Sequence, residues 1–346
     1  MNCRTMRPED LPAVERIWNA CAEAGEVLYS PLDREYFRRK FVEGPGCEPD
    51  LLLVAECGDQ AAGFLHGAAP GSFPGSKPGC AYLTMLLVDA PYRGRGIGRA
   101  LLNTFRERLA CRKAETLYIS GLNPVQLDWR IPGTPGHDHN NMPGADTECA
   151  GYSFLKRYGF SDRYQQAAMY MDLSGWTMPA YAAEKRERLR EEGIETGPYD
   201  AARDCGYDRM CDSVGSDYWR DVLRTETAAW KAGKPNADPR MWADGIPPRG
   251  PRTLLTAVHG GEIVGFTGPV DLQKSGRGWF TGICTDPAYE GRGIGTVLFS
   301  LLLEAFVREG ASFTSLFTGF DNPARKIYEK AGLRTVRQFS LMSMAL

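Results

Sequence analysis

The sequence predicts an α/β protein of the α+β kind, with two tandem domains, each a mixed, mostly antiparallel sheet flanked by helices. Three observations predict it. A strand, a turn and a glycine-rich opening to an apolar helix occur twice, about 200 residues apart, which is close to one domain length and too far for a solenoid period. Each copy follows a short hairpin and precedes another strand. The chain of 346 residues is also long enough for two domains that each bury a core. The expected division is a first domain over 1–175, a connecting helix or linker over 176–193 and a second domain over 194–346.

In the first half, a strand at Arg4 leads to a helix in which Leu11, Val14, Ile17, Trp18 and Cys21 recur at helical spacing. A charged second helix is expected over Asp33 to Val42, with Tyr36, Phe37 and Phe41 on one side. Leu51 to Cys57 and Ala61 to His66 read as a hairpin around Gly58-Asp59. The Pro/Gly-rich tract from Gly67 to Gly79 reads as a loop, and Ala81 to Val88 as the next strand. Then comes Arg93-Gly94-Arg95-Gly96-Ile97-Gly98, opening a helix with Leu101, Leu102, Phe105 and Leu109. Thr116 to Ser120 follows as a strand, then a long insertion containing Trp129, His137, Asp138 and His139, of the kind that covers a site as a lid. A helix from Gly151 to Phe160 and a strand from Gln166 to Leu173 complete the half.

The second half starts from an exposed, charged helix over Pro179 to Glu192. A helical region from Ala201 to Val222 carries Tyr207, Met210, Tyr218 and Trp219; Leu223 to Trp230 continues it, and a Pro-rich stretch holds Met241-Trp242. Leu254 to His259 and Glu262 to Thr267 repeat the hairpin around Gly260-Gly261. Gly278 to Thr285 is read as one strand, followed by Glu290-Gly291-Arg292-Gly293-Ile294-Gly295 and a helix bearing Val297, Leu298, Leu301, Leu302 and Phe306. Phe313 to Thr318 and Arg337 to Met344 are the last strands.

The two glycine runs carry chemistry because a helix N-terminus offers unpaired N–H groups and a positive dipole end. Glycine lets main chain approach phosphate oxygens with no Cβ in the way. Each run therefore reads as a phosphate cradle. It lacks the Lys-Ser/Thr of a triphosphate loop, and Gly-x-Gly-x-Gly is not the dinucleotide spacing.

The cradle, followed in the second half by Asn322-Pro323-Ala324-Arg325-Lys326-Ile327-Tyr328-Glu329-Lys330-Ala331-Gly332-Leu333, resembles the Gcn5-related N-acetyltransferases, or GNAT superfamily. The resemblance runs once through each half. It implies acetyl-CoA as donor, an amine as acceptor, and pyrophosphate held by the main chain of Glu290 to Gly295. It further implies that the strand Ile283-Cys284-Thr285 pairs with the pantetheine arm, that the Ile283 N–H stabilises the developing oxyanion, that Asn322 fixes the arm and that Tyr328 protonates the leaving thiolate. In the first half it assigns Leu86, Val88 and Arg93 to Gly98 to the donor. Two departures stand out. Glu290 occupies a position usually held by Arg or Gln, which Arg93 supplies in the first half. Leu155 occupies the place of Tyr328, and Tyr152 and Tyr158 lie in the wrong helical phase to replace it. The second domain is therefore expected to catalyse. The alternatives are catalysis in the first, or a non-enzymatic CoA-binding sensor. The base is left open among Glu226, Asp217, Asp271, a water relay and the carboxylate at Leu346. Tyr207, Tyr218, Trp219 and Trp242 are expected as acceptor walls, favouring a small cationic amine or a peptide N-terminus.

Forty-one basic and forty-three acidic residues leave the chain nearly neutral, which gives no electrostatic case for nucleic acid or a membrane surface as partner. The N-terminus has no signal-like apolar run, and no stretch of membrane-spanning length occurs. The ten cysteines are scattered without a Cys-x-x-Cys pair, as expected of thiols in a reducing cytoplasm. His137-x-His139 has no third ligand in register, so no metal is expected. Nothing in the sequence bears on oligomeric state.

Overall fold

The structure is a computed structural model and describes residues 2–44, 46–58, 60–73, 75–121, 123–200, 202–215, 220 and 252–346. Tyr218, Trp219, Trp242 and the carboxylates of Asp217 and Glu226 lie outside the described residues, as do the expected helix from Leu223 to Trp230 and the Pro-rich stretch after it. Contacts divide the chain into two compact units, Met1–Ala167 with Arg337–Leu346, and Ala168–Val336.

The first unit contains β1 (Asn2–Thr5), α1 (Leu11–Glu23), α2 (Arg34–Phe37), β2 (Leu52–Cys57), β3 (Gln60–Ala68), β4 (Cys80–Val88), α3 (Ile97–Ala110) and β5 (Thr116–Ile119). It continues through β6 (Trp129–Arg130), β7 (Asp138–His139), β8 (Ala145–Asp146), α4 (Ala150–Tyr158) and the start of β9 (Ser161–Asp172). The second unit holds the rest of β9, α5 (Ala180–Glu191), β10 (Ile194–Pro198), α6 (Tyr207–Val214), β11 (Leu255–His259) and β12 (Glu262–Thr267). There follow β13 (Arg277–Trp279), β14 (Ile283–Thr285), α7 (Ile294–Arg308), β15 (Phe313–Gly319), α8 (Arg325–Ala331) and the start of β16 (Arg334–Ala345).

In the first unit the sheet order is β1-β2-β3-β4-β5-β16. Alternation along β2 sends Leu53 and Ala55 to the face covered by α3 (Leu101, Phe105), and Leu52 and Val54 to the face covered by α1 and α2 (Trp18, Phe37). Both faces are therefore buried, as a sheet between two helical layers requires. Helix α3 sits close because residue 63 is glycine: a Cβ there would lie 2.8 Å from the Leu87 carbonyl oxygen and 3.3 Å from Ile97 Cγ2. Gly265 plays the same part under α7, where a Cβ would lie 2.8 Å from Ile294 Cγ2.

Two expectations are corrected. The final strand lies mainly in the first unit rather than the second: β16 pairs antiparallel with β5, Met342 opposite Ile119 and Ala345 opposite Thr116. A strand's period marks its two faces but not its neighbour. The insertion is folded in part, since Trp129 pairs with His139 in a short hairpin and both side chains are buried. Helix α5 is anchored rather than merely exposed, because Ala182 and Leu189 are fully buried and it packs on α7 and β10.

His66 on β3 is wholly buried. The Thr84 hydroxyl donates to the His66 carbonyl at 3.0 Å, so at 2.5 Å it accepts from His66 Nδ1, which fixes the proton there and leaves Nε2 without a partner. Burial pushes this imidazole down to about 3. Between that value and the ordinary 6.5 the unfolded chain holds a proton that the folded one does not, so stability is full above about 6.5 and falls with pH below it. From pH 7 to pH 5 the first unit is expected to lose about 2 kcal/mol through this group. His66→Leu should flatten the slope of denaturant midpoint against pH, and an unchanged slope would reject the assignment.

Candidate active site

The two glycine runs sit in matching frames. Asp286 begins a 3₁₀ turn at Pro287–Tyr289, accepts from the Ala288 N–H at 3.0 Å and is held by Arg209 at 2.9 Å. Asp89 likewise begins the turn at Ala90–Tyr92 and is held by Arg16 at 2.8 Å. Both carboxylates are nearly buried, so each arginine pins the corner from which a cradle starts. This repeated clamp was missed in the sequence.

The left-handed φ values of Gly94 (+76°), Gly96 (+83°), Gly291 (+79°) and Gly293 (+95°) turn the chain into α3 and α7. The N-cap glycines have no side chain to cap either helix, so among the described residues the first-turn N–H groups, Ile97 and Gly98 in one and Ile294 and Gly295 in the other, have no side-chain acceptor. The N–H groups of Arg93 and Glu290 instead close the preceding turns at 3.3 Å. Among the described residues the donors without an acceptor therefore begin one residue later, at Gly94 and Arg95 and at Gly291 and Arg292.

Strand register sets the next part of each site. Asp286 N donates to Val264 O at 2.9 Å, so in this antiparallel pair the bonded positions are Asp286 and Cys284, while Thr285 and Ile283 turn their main-chain groups outward. Asp89 N donates to Ala62 O at 2.9 Å, and the same alternation turns Val88 and Leu86 outward. Cys284 does not share that edge. It faces Phe266, and its thiol is buried in the core, where desolvation pushes it up to about 12.

Beyond the edge, the strand read as continuous from Gly278 to Thr285 breaks at Phe280–Gly282. Its first piece, β13, pairs in parallel with β15 up to Trp279 opposite Ser315, and its second, β14, pairs among the described residues only with β12. In the first unit β4 likewise pairs with β5 only from Cys80 to Tyr82. Each unit thus opens a cleft between two strands. In the second unit Thr281 Oγ1 lies at the break and Thr318 Oγ1 on the part of β15 past its pairing with β13; both are buried and neither has a hydrogen-bond partner among the described residues. Such orphaned hydroxyls suit a polar ligand entering the cleft.

Tyr328 stands on α8 with its ring between Phe280 (5.4 Å) and Phe299 (4.9 Å), 5% exposed, and its hydroxyl makes no hydrogen bond among the described residues. Burial pushes the phenol up to about 12. Asn322 is exposed and uses its side-chain oxygen to receive the Ala324 N–H at 3.0 Å.

The first unit is furnished differently. Leu155 takes the place of Tyr328, Tyr152 donates to Asp162 at 3.0 Å, and Tyr158 donates to Asn103 at 2.8 Å. Arg93 is not aimed at its cradle: it makes a two-pronged pair with Glu26, 2.6 Å on each prong, and its Nε caps the outward Val88 carbonyl at 2.9 Å. Glu290 has no donor to place on the Thr285 carbonyl in that way. Thr84, which corresponds to Thr281 counting back from each cradle, is occupied by His66, whose own counterpart is Gly268. Asp271, a candidate base, is sealed in an ion pair with Arg252.

A family model described as Acetyltransferase (GNAT) family matches residues 11–126 and again 218–333. An acetyltransferase of Sodalis glossinidius is 33% identical over 113 residues, 32% of this chain and 69% of its own. The GCN5-related N-acetyltransferase from Sphaerobacter thermophilus shares the fold at TM-score 0.56 and 18% identity, over 99% of this chain and 95% of its own. A tandem GNAT protein from the clavulanic acid biosynthesis pathway does so at TM-score 0.52 and 18% identity, over 99% and 98%. No helix among the described residues is long and apolar enough to cross a membrane. With two matched stretches that together span most of its length, the chain belongs to the GNAT acetyltransferase family as a tandem of two copies.

Proposed function

We propose that the protein transfers acetyl from acetyl-CoA to the primary amine of a small molecule or peptide, with the chemistry in the second unit. The observation that carries this reading is the unpartnered Tyr328 phenol, set against Phe280 at the strand break, where the Thr281 and Thr318 hydroxyls are also unsatisfied. The corresponding groups of the first unit are replaced or already bonded. In this reading the N–H groups from Gly291 to Gly295 hold the pyrophosphate. The outward edge of Ile283 and Thr285 takes the pantetheine arm as an added strand, and the exposed amide of Asn322 reaches its end. The amine nitrogen attacks the thioester carbonyl carbon, with the Ile283 N–H receiving the charge that develops on oxygen. As the carbon–sulfur bond breaks, Tyr328 gives its proton to the sulfur, and the proton shed by the attacking nitrogen passes through solvent to restore the phenol. The first unit retains a cradle whose strand edge is partly capped by Arg93, which suits a binding or structural copy.

The test is thiol release from acetyl-CoA across a panel of small cationic amines and peptide N-termini, using the full chain. Release that depends on the amine is expected. Tight CoA binding with no amine-dependent release would instead favour a CoA sensor.

A further inference from the structure

Helix α5 lies outside both stretches that match the family. It is fastened at two places in the second unit. Tyr181 donates to the Lys330 carbonyl of α8 at 2.9 Å, with the Lys330 ammonium 4.2 Å from its ring centre. Glu192, just past its end, pairs with Arg292 of the cradle at 3.1 Å. Between these anchors the half-buried Lys185 side chain crosses the glycine that opens α7: a Cβ on Gly293 would lie 3.1 Å from both its Cδ and its Nζ.

That ammonium has no carboxylate partner and donates no hydrogen bond among the described residues, whereas Arg186 and Arg190 on the same helix are both engaged. It stands beside the positive end of a helix dipole, an unfavourable place for a cation unless an anion lies between them. The equivalent glycine of the first unit, Gly96, has nothing within 4 Å of its Cβ position.

We infer that Lys185 is a phosphate ligand of the second cradle, supplied by the connecting helix and supplementing the main-chain donors where Glu290 offers no positive charge. The inference rests on the reading that this cradle binds acetyl-CoA. It gives α5 a role in donor recognition that the family fold alone does not contain.

The test is calorimetric titration of acetyl-CoA, and of phosphate-free acetyl-pantetheine, into full-length protein carrying Gly96→Val to silence the first cradle. Lys185→Ala added to that background should weaken acetyl-CoA about tenfold to a hundredfold, the loss of one charge-assisted hydrogen bond. Lys185→Arg should stay within a few-fold of the lysine protein, and acetyl-pantetheine should bind both variants as before. Unchanged or tighter acetyl-CoA binding in Lys185→Ala would overturn the inference, tighter binding meaning that the side chain obstructs the cradle. An equal loss for acetyl-pantetheine would also overturn it, by showing a structural effect. If the Gly96→Val protein binds no acetyl-CoA even with Lys185 intact, the second unit is not a donor site, and the assignment of Lys185 falls with that reading.

Discussion

Tyr328→Phe is expected to lower turnover about a hundredfold while leaving the affinity for acetyl-CoA within a factor of about two. The ring makes the packing contacts with Phe280 and Phe299, and phenylalanine keeps them, so the variant removes one hydroxyl that makes no hydrogen bond among the described residues. General acids contribute about a hundredfold to ten-thousandfold, and the low end applies because a thiol of pKa about 8.5 leaves as its anion without much help. The pH profile supplies an independent check. A phenol donates only while protonated, and burial holds this one neutral up to about 12. No alkaline fall in turnover below pH 10 should therefore come from Tyr328. Such a fall that vanishes in the phenylalanine variant would contradict the buried, neutral acid, and unchanged turnover would reject the role altogether.

What could be read from the chain, and what could not, follows from the range of each interaction. The cradles were legible because positive φ, helix period and dipole are all set within a dozen residues, and the glycine spacing states them directly. The outward positions of Leu86, Val88, Ile283 and Thr285 follow from strand alternation once one bonded pair is known, and the resemblance supplied the phase. Side-chain partners far along the chain were not legible. Asp89 finds Arg16 across 73 residues and Asp286 finds Arg209 across 77, with no local period to announce either pair. Arg93 looked well suited to a phosphate by type, yet Glu26, 67 residues away, takes its guanidinium, and its Nε goes to the strand edge. Residue type gives a group's capacity, and three-dimensional neighbours decide how much of it is spent. The same logic reverses the apparent defect at Glu290. A carboxylate beside a phosphate site is unfavourable in isolation, but it cannot close off the Thr285 carbonyl as Arg93 does at Val88. Helix α5 shows the same limit: its charged composition describes its exposed face and says nothing of the two buried positions, Ala182 and Leu189, that anchor it.

Gly293→Val and Gly96→Val, made separately, should have opposite consequences although the two glycines share a conformation. Each sits in the left-handed region, where a β-branched residue is strained by about 1–2 kcal/mol or more, so both variants should lower the melting temperature by similar amounts. At Gly96 an added Cβ has nothing within 4 Å, and the expected loss is one acetyl-CoA binding event with turnover kept. At Gly293 the side chain also meets Lys185 and stands where an anion must approach the first-turn N–H groups of α7. Donor affinity of the second unit should fall about a hundredfold or more, since several charge-assisted hydrogen bonds of roughly tenfold each are lost together, and turnover should fall with it. The readout is the number of acetyl-CoA sites by calorimetry alongside amine-dependent thiol release. Turnover lost only with Gly96→Val would move the chemistry to the first unit and require an acid other than Tyr152 or Tyr158, whose hydroxyls already serve Asp162 and Asn103. Turnover lost only with Gly293→Val would place the donor, the outward strand edge of Ile283 and the Tyr328 phenol in one working site. The capped edge at Val88 would then explain why a cradle of the same shape, under the same arginine clamp, does not catalyse.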